Sequence, residues 1–321
     1  MAEDAWQGRT ALVTGGDGFI GANLVRALRA RGASVHVLRR GTAPGSRLRA
    51  LGNDVISHQT DITDAARVAA VVADVRPHAV FHLAAYGTAS DHTDPTRMLR
   101  TNVEGTLNLL LALQPLLPAT FVNTGTSAEY RASRRPLQES SALGPGTTYG
   151  VTKASADILC AAAAASSPHQ IVTLRLFHVY GPLDDPRRLV PTAMRALLTG
   201  EPIHLVRGVS RRDFIYIDDV VDAYLRAAIR RPGVSGHAFN VGSGRQYSLA
   251  EALRLLGRLA DHQLKILRGG FPARPWDQRD WAAAIGKAHR LLGWKPAYSL
   301  REGLFRTLAW YRAGAEGLDQ P

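Results

Sequence analysis

A tyrosine and a lysine, Tyr149 and Lys153, stand four residues apart in TTYGVTKASAD, at the start of a stretch patterned as a helix. Residues at that spacing share one helical face, so phenol and ammonium project together. A phenol ordinarily ionises near pH 10; a neighbouring ammonium favours the phenolate and brings proton exchange nearer neutrality. With 9 tyrosines and four lysines, chance gives about 0.1 such pairs in the chain, and this is the one present. Proton transfer to an oxygen also needs a second group to orient that oxygen. The run FVNT leads into Gly125-Thr126-Ser127-Ala128-Glu129-Tyr130, just past the carboxyl end of an expected strand, where open α/β sheets bind ligands. Ser127 or Thr126 can supply the hydroxyl, although both residue types are also ordinary in turns.

A second constellation precedes it. TGGDGFIG places Gly15, Gly18 and Gly21 between an apolar run and a helical stretch. Glycines there let the backbone turn sharply and approach a pyrophosphate seated on helix N-terminal amides. The spacing is G-x-x-G-x-x-G rather than G-x-G-x-x-G, so the strand before and the helix after carry the argument. The second strand, SVHVL, ends in Arg39 and Arg40, with no acid in reach of a ribose 2′-hydroxyl. Arginines there suit a 2′-phosphate, which favours NADP(H), with NAD(H) as the alternative. Asp61, in QTDIT, is placed either for the adenine end of the cofactor or to cap the next helix.

These residues require a scaffold, and the first half of the chain supplies one. Strands are expected over Thr10–Thr14, Ser34–Leu38, Val55–His58, Ala79–Ala84, Thr120–Thr124 and Ile171–Phe177. Helices are expected from the glycine loop to Gly32 and over Ala65–Val75, Asn102–Leu113 and Tyr149–Ala165. Such alternation predicts an α/β fold: a Rossmann-type, doubly wound parallel sheet covered on both faces. From about Tyr180 the texture turns to shorter elements richer in Pro and Gly. The expected division is a dinucleotide-binding domain over 1–180, with a return segment near 212–242, and a smaller interleaved substrate domain over 181–321.

The motifs together resemble those of extended short-chain dehydrogenase/reductases acting on nucleotide sugars. The resemblance rests on Gly15-x-x-Gly18-Phe19-Ile20-Gly21, His82-Leu83-Ala84-Ala85, the Ser127 segment and Tyr149-x-x-x-Lys153. It continues through Arg175–Pro182, Arg212–Val220, Phe239–Gly244 and Leu291–Pro296, so it spans almost the whole chain. It implies that Tyr149 is the acid/base, that Lys153 binds the nicotinamide ribose and tunes the phenol, and that Ser127 orients the substrate oxygen. The loop is shifted against the family pattern: anchoring on Glu129 selects Ser127, and anchoring on the tyrosine selects Thr126, kept in reserve. The resemblance also places Ile62, Leu83, Ala84, Ala85, Asn102 and Phe177 along the cofactor; Asn102 alternatively caps a helix. It places Tyr86, His178, Arg212 and Arg274 on the substrate. His178 stands where many epimerases carry an asparagine, and the sequence after Arg274 drifts from the family pattern.

Composition excludes other classes. The formal net charge is +12, from 39 Lys+Arg against 27 Asp+Glu, but the arginines are scattered through apparent helices rather than gathered in a tail. That pattern is a solvated surface, so no nucleic-acid partner is expected; arginine's fork still suits anionic small molecules. One cysteine excludes an internal disulfide. The start MAEDAWQGRT has no apolar h-region, and no apolar run approaches the roughly 20 residues of a bilayer span. A cytoplasmic protein with no membrane partner is expected. His78 and His82 lie about 13 Å apart along a strand, too far to share a metal, so none is expected. Asp218 and Asp219 are expected to cap the helix after them.

Three outcomes fit this apparatus: 4-epimerisation, 4,6-dehydration and net reduction of a 4-keto sugar. A dehydratase resembling the known ones carries an Asp-Glu pair directly after the hydroxyl residue, and Ser127 is followed by Ala128-Glu129. Arg39 and Arg40 favour reduction, giving an NADPH-dependent ketoreductase of a nucleoside-diphosphate 4-keto-6-deoxy sugar as the expected function. An NAD-dependent nucleotide-sugar 4-epimerase is the alternative, and a noncatalytic cofactor-binding regulator is disfavoured by the intact Tyr149, Lys153 and Ser127. The helices Asn102–Leu113 and Tyr149–Ala165 are candidates to pair across a twofold axis in a homodimer.

Overall fold

Thirteen short strands and eleven helices are set out in a computed structural model that describes residues 4–42, 45–49, 55–89, 91–206, 210–262, 264–271 and 281–314. The strands are β1 (Thr10–Thr14), β2 (Ser34–Arg39), β3 (Ile56–Gln59), β4 (Ala79–His82), β5 (Thr120–Thr126), β6 (Gln170–Leu176) and β7 (His178–Tyr180). They continue as β8 (Ile203–Val206), β9 (Arg211–Arg212), β10 (Phe214–Tyr216), β11 (Ala238–Val241), β12 (Tyr247–Ser248) and β13 (Ile266–Phe271). The helices are α1 (Phe19–Arg29), α2 (Ser46–Arg49), α3 (Ala65–Val75), α4 (Pro95–Leu99), α5 (Gly105–Leu113) and α6 (Thr148–Ala164). After them come α7 (Leu189–Thr199), α8 (Ile217–Ala227), α9 (Leu249–Ala260), α10 (Gly286–Leu292) and α11 (Leu300–Arg312).

Seven strands form one parallel sheet in the order β11-β6-β5-β4-β1-β2-β3. Chain order reverses between β1 and β4, and the crevice beyond their carboxyl ends is where open α/β sheets bind ligands. Alternation along β1 sorts its side chains to the two faces. Val13 packs with Leu24, Val25 and Leu28 of α1, and Leu12 with Val68, Val72, Leu109 and Phe121 on the other side. Each of these is fully buried, which is worth about 1.5–3 kcal/mol per side chain. Both faces are therefore covered, as the expected doubly wound sheet requires.

The chain beyond β6 shares the core of the first face. Val190, Met194, Leu253, Leu256, Leu304 and Leu308 join Tyr216, Tyr224 and Trp294 there, and β11 returns to pair with β6. Three two-stranded pairs, β7 with β10, β9 with β12 and β8 with β13, build the rest.

Three local expectations need correction. Asp61 caps no helix: its Oδ1 accepts from Thr63 N and Oγ1, while Asp64 caps α3 through Arg67 N at 3.0 Å. Asp218 and Asp219 do not cap α8, whose N-cap is Tyr216. Asp219 instead accepts from Ala297 N at 2.7 Å and Tyr298 N at 3.2 Å, and its carbonyl accepts Trp294 Nε1, so it anchors the C-terminal segment. Finally, the helix expected to start at Asn102 begins earlier, at Pro95, capped by Asp94, and passes through a π turn over Arg100–Glu104 into α5. Such turns carry one extra residue and recur at functional sites; here Asn102 lies within the turn and is buried.

Candidate active site

The glycine loop is shaped by contacts that only glycine permits. Gly15 has φ +69°, and a Cβ there would stand 2.7 Å from Ala84 N. A Cβ on Gly21 would stand 2.1 Å from Gly15 O. The loop, the first turn of α1 and the Leu83–Ala85 segment after β4 are thereby packed backbone to backbone. Gly18 is the N-cap of α1 with no side-chain cap, and the first turn carries no acid, so its amides are left for an external anion. This cradle fits a dinucleotide diphosphate. Phe19 and Ile20 begin α1 and pack against the core.

At the other end of the crevice, Arg39 donates to the carbonyls of Gly41 and Thr42, so its guanidinium is folded onto its own loop. Arg40 is exposed. Ile62 is buried under α5, where a Cβ on Gly105 would meet it at 2.6 Å. Asn102 is neither a cap nor free: its amide accepts from Tyr86 N at 2.8 Å, donates to Tyr86 O at 2.8 Å and donates to Thr152 at 2.9 Å. It thus ties the loop after β4 to α6. The Tyr86 ring stacks on His92 at 4.2 Å, with Arg97 4.6 Å from its centroid. His82, fully buried, bonds Thr14 at 2.7 Å and Thr106 at 3.0 Å, and burial depresses its pKa to about 3.

Tyr149 and Lys153 lie on the first turns of α6, which Thr147 caps through Gly150 N at 3.1 Å. The helix start is pressed onto the β5 loop: a Cβ on Gly150 would stand 2.5 Å from Ala128 O. Gly87, at φ +113°, lies against the Tyr149 ring from the other side. Of the two hydroxyl residues, Thr126 is the one that bears on the phenol, lowering its pKa. That favours the register anchored on the tyrosine, with Thr126 as the hydroxyl residue, over the one anchored on Glu129. Ser127 still lines the cleft beside it.

The electrostatics also depart from expectation. The phenol pKa is raised, chiefly by burial and next by the Glu129 carboxylate, against opposing effects of Thr126 and Arg188. The folded chain alone thus holds the phenol protonated rather than poised near neutrality. Lys153 is 2% exposed, and burial pulls its ammonium below the usual value while Glu129, Cys160 and Asp157 support the charge.

Beyond the phenol a cleft of about 270 Å³ is lined by Thr126, Ser127, Thr147, Phe177, His178, Arg188, Arg212 and Trp281, among others. His178 sets its ring edge-on to Phe214 at 4.9 Å and is kept neutral by burial and by Arg188 and Arg212. Arg212 lies 6.0 Å over the Trp281 ring. Its neighbour Asp213 does not pair with it; that carboxylate accepts from Ser243 N, Ser243 Oγ, Gly244 N and Ala283 N. Arg274 lies outside the described residues. Arg188, which faces both the phenol and His178 while paired with Asp184 at 3.0 Å, carried no signal in the sequence. Thr147 carried one, as a Thr three residues before a glycine at a helix start. Among the described residues no cluster of metal-ligating side chains occurs, and no helix is long and apolar enough to cross a membrane.

A glycine-cradled crevice and a tyrosine–lysine helix facing one cleft are combined in a family whose pattern residues 11–242 match, described as the NAD dependent epimerase/dehydratase family. The chain belongs to that family. Across the family, the chain is 31% identical to the dTDP-glucose 4,6-dehydratase of Xanthomonas campestris pv. campestris, over 94% of this chain and 93% of that protein. The fold superposes with a TM-score of 0.87 on the UDP-glucose 4-epimerase of Thermotoga maritima solved with UDP-glucose, at 29% identity over 95% of this chain and 99% of that one. It superposes with a TM-score of 0.84 on the UDP-glucuronic acid 4-epimerase of Bacillus cereus solved with UDP-glucuronic acid and NAD, at 26% identity and the same coverage. The family assignment makes the protein an enzyme of oxidoreductase type with a nicotinamide cofactor.

Proposed function

We propose that the protein is a nucleotide-sugar 4-epimerase that holds NAD in the β1–β4 crevice and uses Tyr149 as the acid/base on the sugar O4. The observation that carries this reading is the loop after β5, where Thr126 bears on the phenol and no free acid follows it. With Thr126 as the hydroxyl residue, the two positions that would hold the acids of a dehydratase are Ser127 and Ala128. The nearest carboxylate, Glu129, is fully buried beneath the loop and bonded to Thr126 N at 2.6 Å. No acid from this loop is left to expel water from the sugar, whereas epimerisation needs one group that works in both directions.

A bound nicotinamide supplies the acceptor and donor of hydride at the sugar carbon. Tyr149 exchanges the proton on O4, and Thr126 holds that oxygen and the phenol in line. The phenol must lose its proton before it can take one; Arg188 across the cleft is the cation that favours this loss, and Lys153 stands one helical turn away. Arg212 offers its fork to the diphosphate of the sugar nucleotide. Leu83, Ala84, Ala85 and Phe177 wall the crevice, and the uncapped start of α1 meets the cofactor diphosphate. Structural relatives solved with NAD support retention of that cofactor.

A second reading is supported by one feature: β2 ends in Arg39, followed by Arg40, without a carboxylate, a setting for NADPH and net reduction of a 4-keto-6-deoxy sugar. Arg39's bonds to its own loop weigh against it. We also propose a homodimer, because Leu99, Leu107 and Leu111 of the α4–α5 run and Val151 and Ile158 of α6 are exposed apolar residues.

The deciding experiment releases and identifies the cofactor, then offers UDP-glucose, UDP-glucuronate and dTDP-glucose without added reductant, following C4 epimers by NMR. Tightly held NAD, C4 interconversion, and a loss of about 10²–10⁴-fold in Tyr149→Phe are expected. Turnover that consumes NADPH on 4-keto sugars, with no epimer formed, would replace epimerase by reductase.

A further inference from the structure

A second cavity, of about 620 Å³, opens between α6, β6, α10 and the chain entering β11, and it shares no lining residue with the cleft beside Tyr149. Its floor is an ion pair. Asp157 and Arg175 are 5% and 6% exposed, and Arg175 directs Nε and Nη2 to Asp157 Oδ2 at 2.9 and 2.5 Å. Arg175 Nε also stands 3.0 Å from Glu129 Oε2, and Nη1 donates to the Tyr130 hydroxyl and to Glu139 O, so the guanidinium is fixed in place. Both bonds to Asp157 fall on one oxygen; among the described residues its Oδ1 accepts none. A carboxylate oxygen without a donor on so buried a residue is costly, and a hydroxyl in the cavity would satisfy it. The rim is cationic. Lys287 and Arg290, three residues apart on α10, share one helical face, and both line the cavity. Lys287 donates to Ala238 O at 2.9 Å and meets His237 Nδ1 at 3.1 Å, which leaves one of its three ammonium hydrogens. Among the described residues neither Lys287 nor Arg290 pairs with a carboxylate, and the guanidinium of Arg290 makes no hydrogen bond. Glu139, the other acid of the wall, accepts Asn240 N at 2.9 Å. Arg175, Lys287 and Arg290 thus face two carboxylates that are already engaged.

We propose that this cavity is a second ligand site that takes a phosphorylated sugar, with the phosphate on Lys287 and Arg290 and a ring hydroxyl on Asp157 Oδ1. A guanidinium fork beside an ammonium suits a phosphate dianion. Gln138 and Ser140 add neutral hydrogen-bonding groups for further hydroxyls, and Ile158 with Ala161 forms an apolar strip for the C–H side of a ring. Among the described residues no Phe, Tyr or Trp ring lines the cavity, so a nucleotide base finds nothing to stack on. Inorganic phosphate would leave Asp157 Oδ1 and the apolar strip unmet. The volume falls within the range of about 300–1,000 Å³ usual for small-molecule sites. The inference goes beyond the proposed reaction and does not rest on it, since no residue of this cavity has a part in that reaction. Ile158 is common to the cavity wall and to the face proposed for the homodimer, so binding is measured on the full chain in whatever oligomeric state it adopts.

Calorimetric titrations of glucose 1-phosphate, inorganic phosphate and glucose into the wild type and into Arg290→Gln, Lys287→Gln and Arg212→Leu test the site. Glucose 1-phosphate should bind the wild type with a Kd below about 1 mM and weaken about tenfold or more in each α10 variant, the loss of one charge-assisted hydrogen bond. Arg212→Leu, in the other cleft, should change that binding less than about twofold. Phosphate and glucose, each meeting half of the site, should bind at least about tenfold more weakly. Arg290 is exposed, so its variant keeps the test open should Lys287→Gln lose the bond to Ala238 O and fail to fold. Three results overturn the proposal. The first is no binding of glucose 1-phosphate below about 10 mM. The second is weakening confined to Arg212→Leu, which would move the ligand to the cleft beside Tyr149. The third is inorganic phosphate bound as tightly as glucose 1-phosphate, which would leave an anion site with no place for a sugar. The expected binding pattern in a protein that epimerises no sugar nucleotide would support this site and remove the proposed function.

Discussion

Replacing Thr126 by Val removes one hydroxyl while keeping the shape of the side chain, and the fold says what that hydroxyl does. It bears on the Tyr149 phenol, lowering its pKa, and it accepts the Ala128 amide at a long 3.3 Å. The second contact caps a single 3-10 turn, a loss at the low end of the cap range, about 0.5 kcal/mol. That turn also keeps the bond from the Thr126 amide to Glu129. The first contact strengthens as charge develops on the phenol or the sugar oxygen, and a hydrogen bond to a charged group is worth about 1.5–3 kcal/mol. At tenfold per 1.36 kcal/mol this is a drop of roughly 10- to 150-fold in kcat. Ser127→Ala, at a residue that lines the cleft without shifting the phenol's pKa, should lose less than about threefold, and Thr126→Ser should retain most of the rate. Initial rates of C4 interconversion, with thermal midpoints measured beside them, decide the matter. A Ser127→Ala variant that loses as much as Thr126→Val, both being folded, would refute the Thr126 assignment.

Gly21→Ala would drive a Cβ to 2.1 Å from Gly15 O and 2.8 Å from Gly16 Cα, so a loss of about 1–3 kcal/mol in denaturant melts is expected; retention of co-purified dinucleotide at wild-type level would contradict the cradle. His82 is held neutral with a folded pKa of about 3 against 6.5 in the unfolded chain. Its contribution to stability is full above pH 6.5 and falls as pH drops toward 3, so urea melts should lose about 2 kcal/mol from this group between pH 7 and pH 5; a His82→Asn variant with the same acid sensitivity would exclude it as the source. Leu111→Glu places a charge on the exposed α5 face, so if the proposed homodimer pairs through that face, light scattering should show a dimeric wild type and a monomeric variant; a wild type that is already monomeric removes the pairing.

The sheet was legible because its strands alternate with helices at spacings that local rules govern. Thr10–Thr14 and Ala65–Val75 emerge with the bounds the pattern predicts. The glycine loop was legible for the same reason: the strand and helix flanking it leave one kind of backbone. Asn102 was harder. A helix start was expected there, but the π turn is set by burial of its amide against Tyr86 and Thr152, partners 16 and 50 residues away. Asp219 misled in the same way, since an acid at a helix start reads as a cap until a distant segment claims it.

By itself the sequence determined the doubly wound α/β sheet, the crevice for a dinucleotide, and the tyrosine and lysine on one helical face, because each depends on residues within about one turn or one strand of each other. Only the tertiary structure decided which hydroxyl bears on the phenol, that Arg188 faces it, and that Glu129 lies buried against the Thr126 amide and Arg175. Those contacts join β5, β6, α6 and the loop before α7, and a choice between adjacent residues such as Thr126 and Ser127 turns on which way a side chain points once the helix start is pressed onto the strand end.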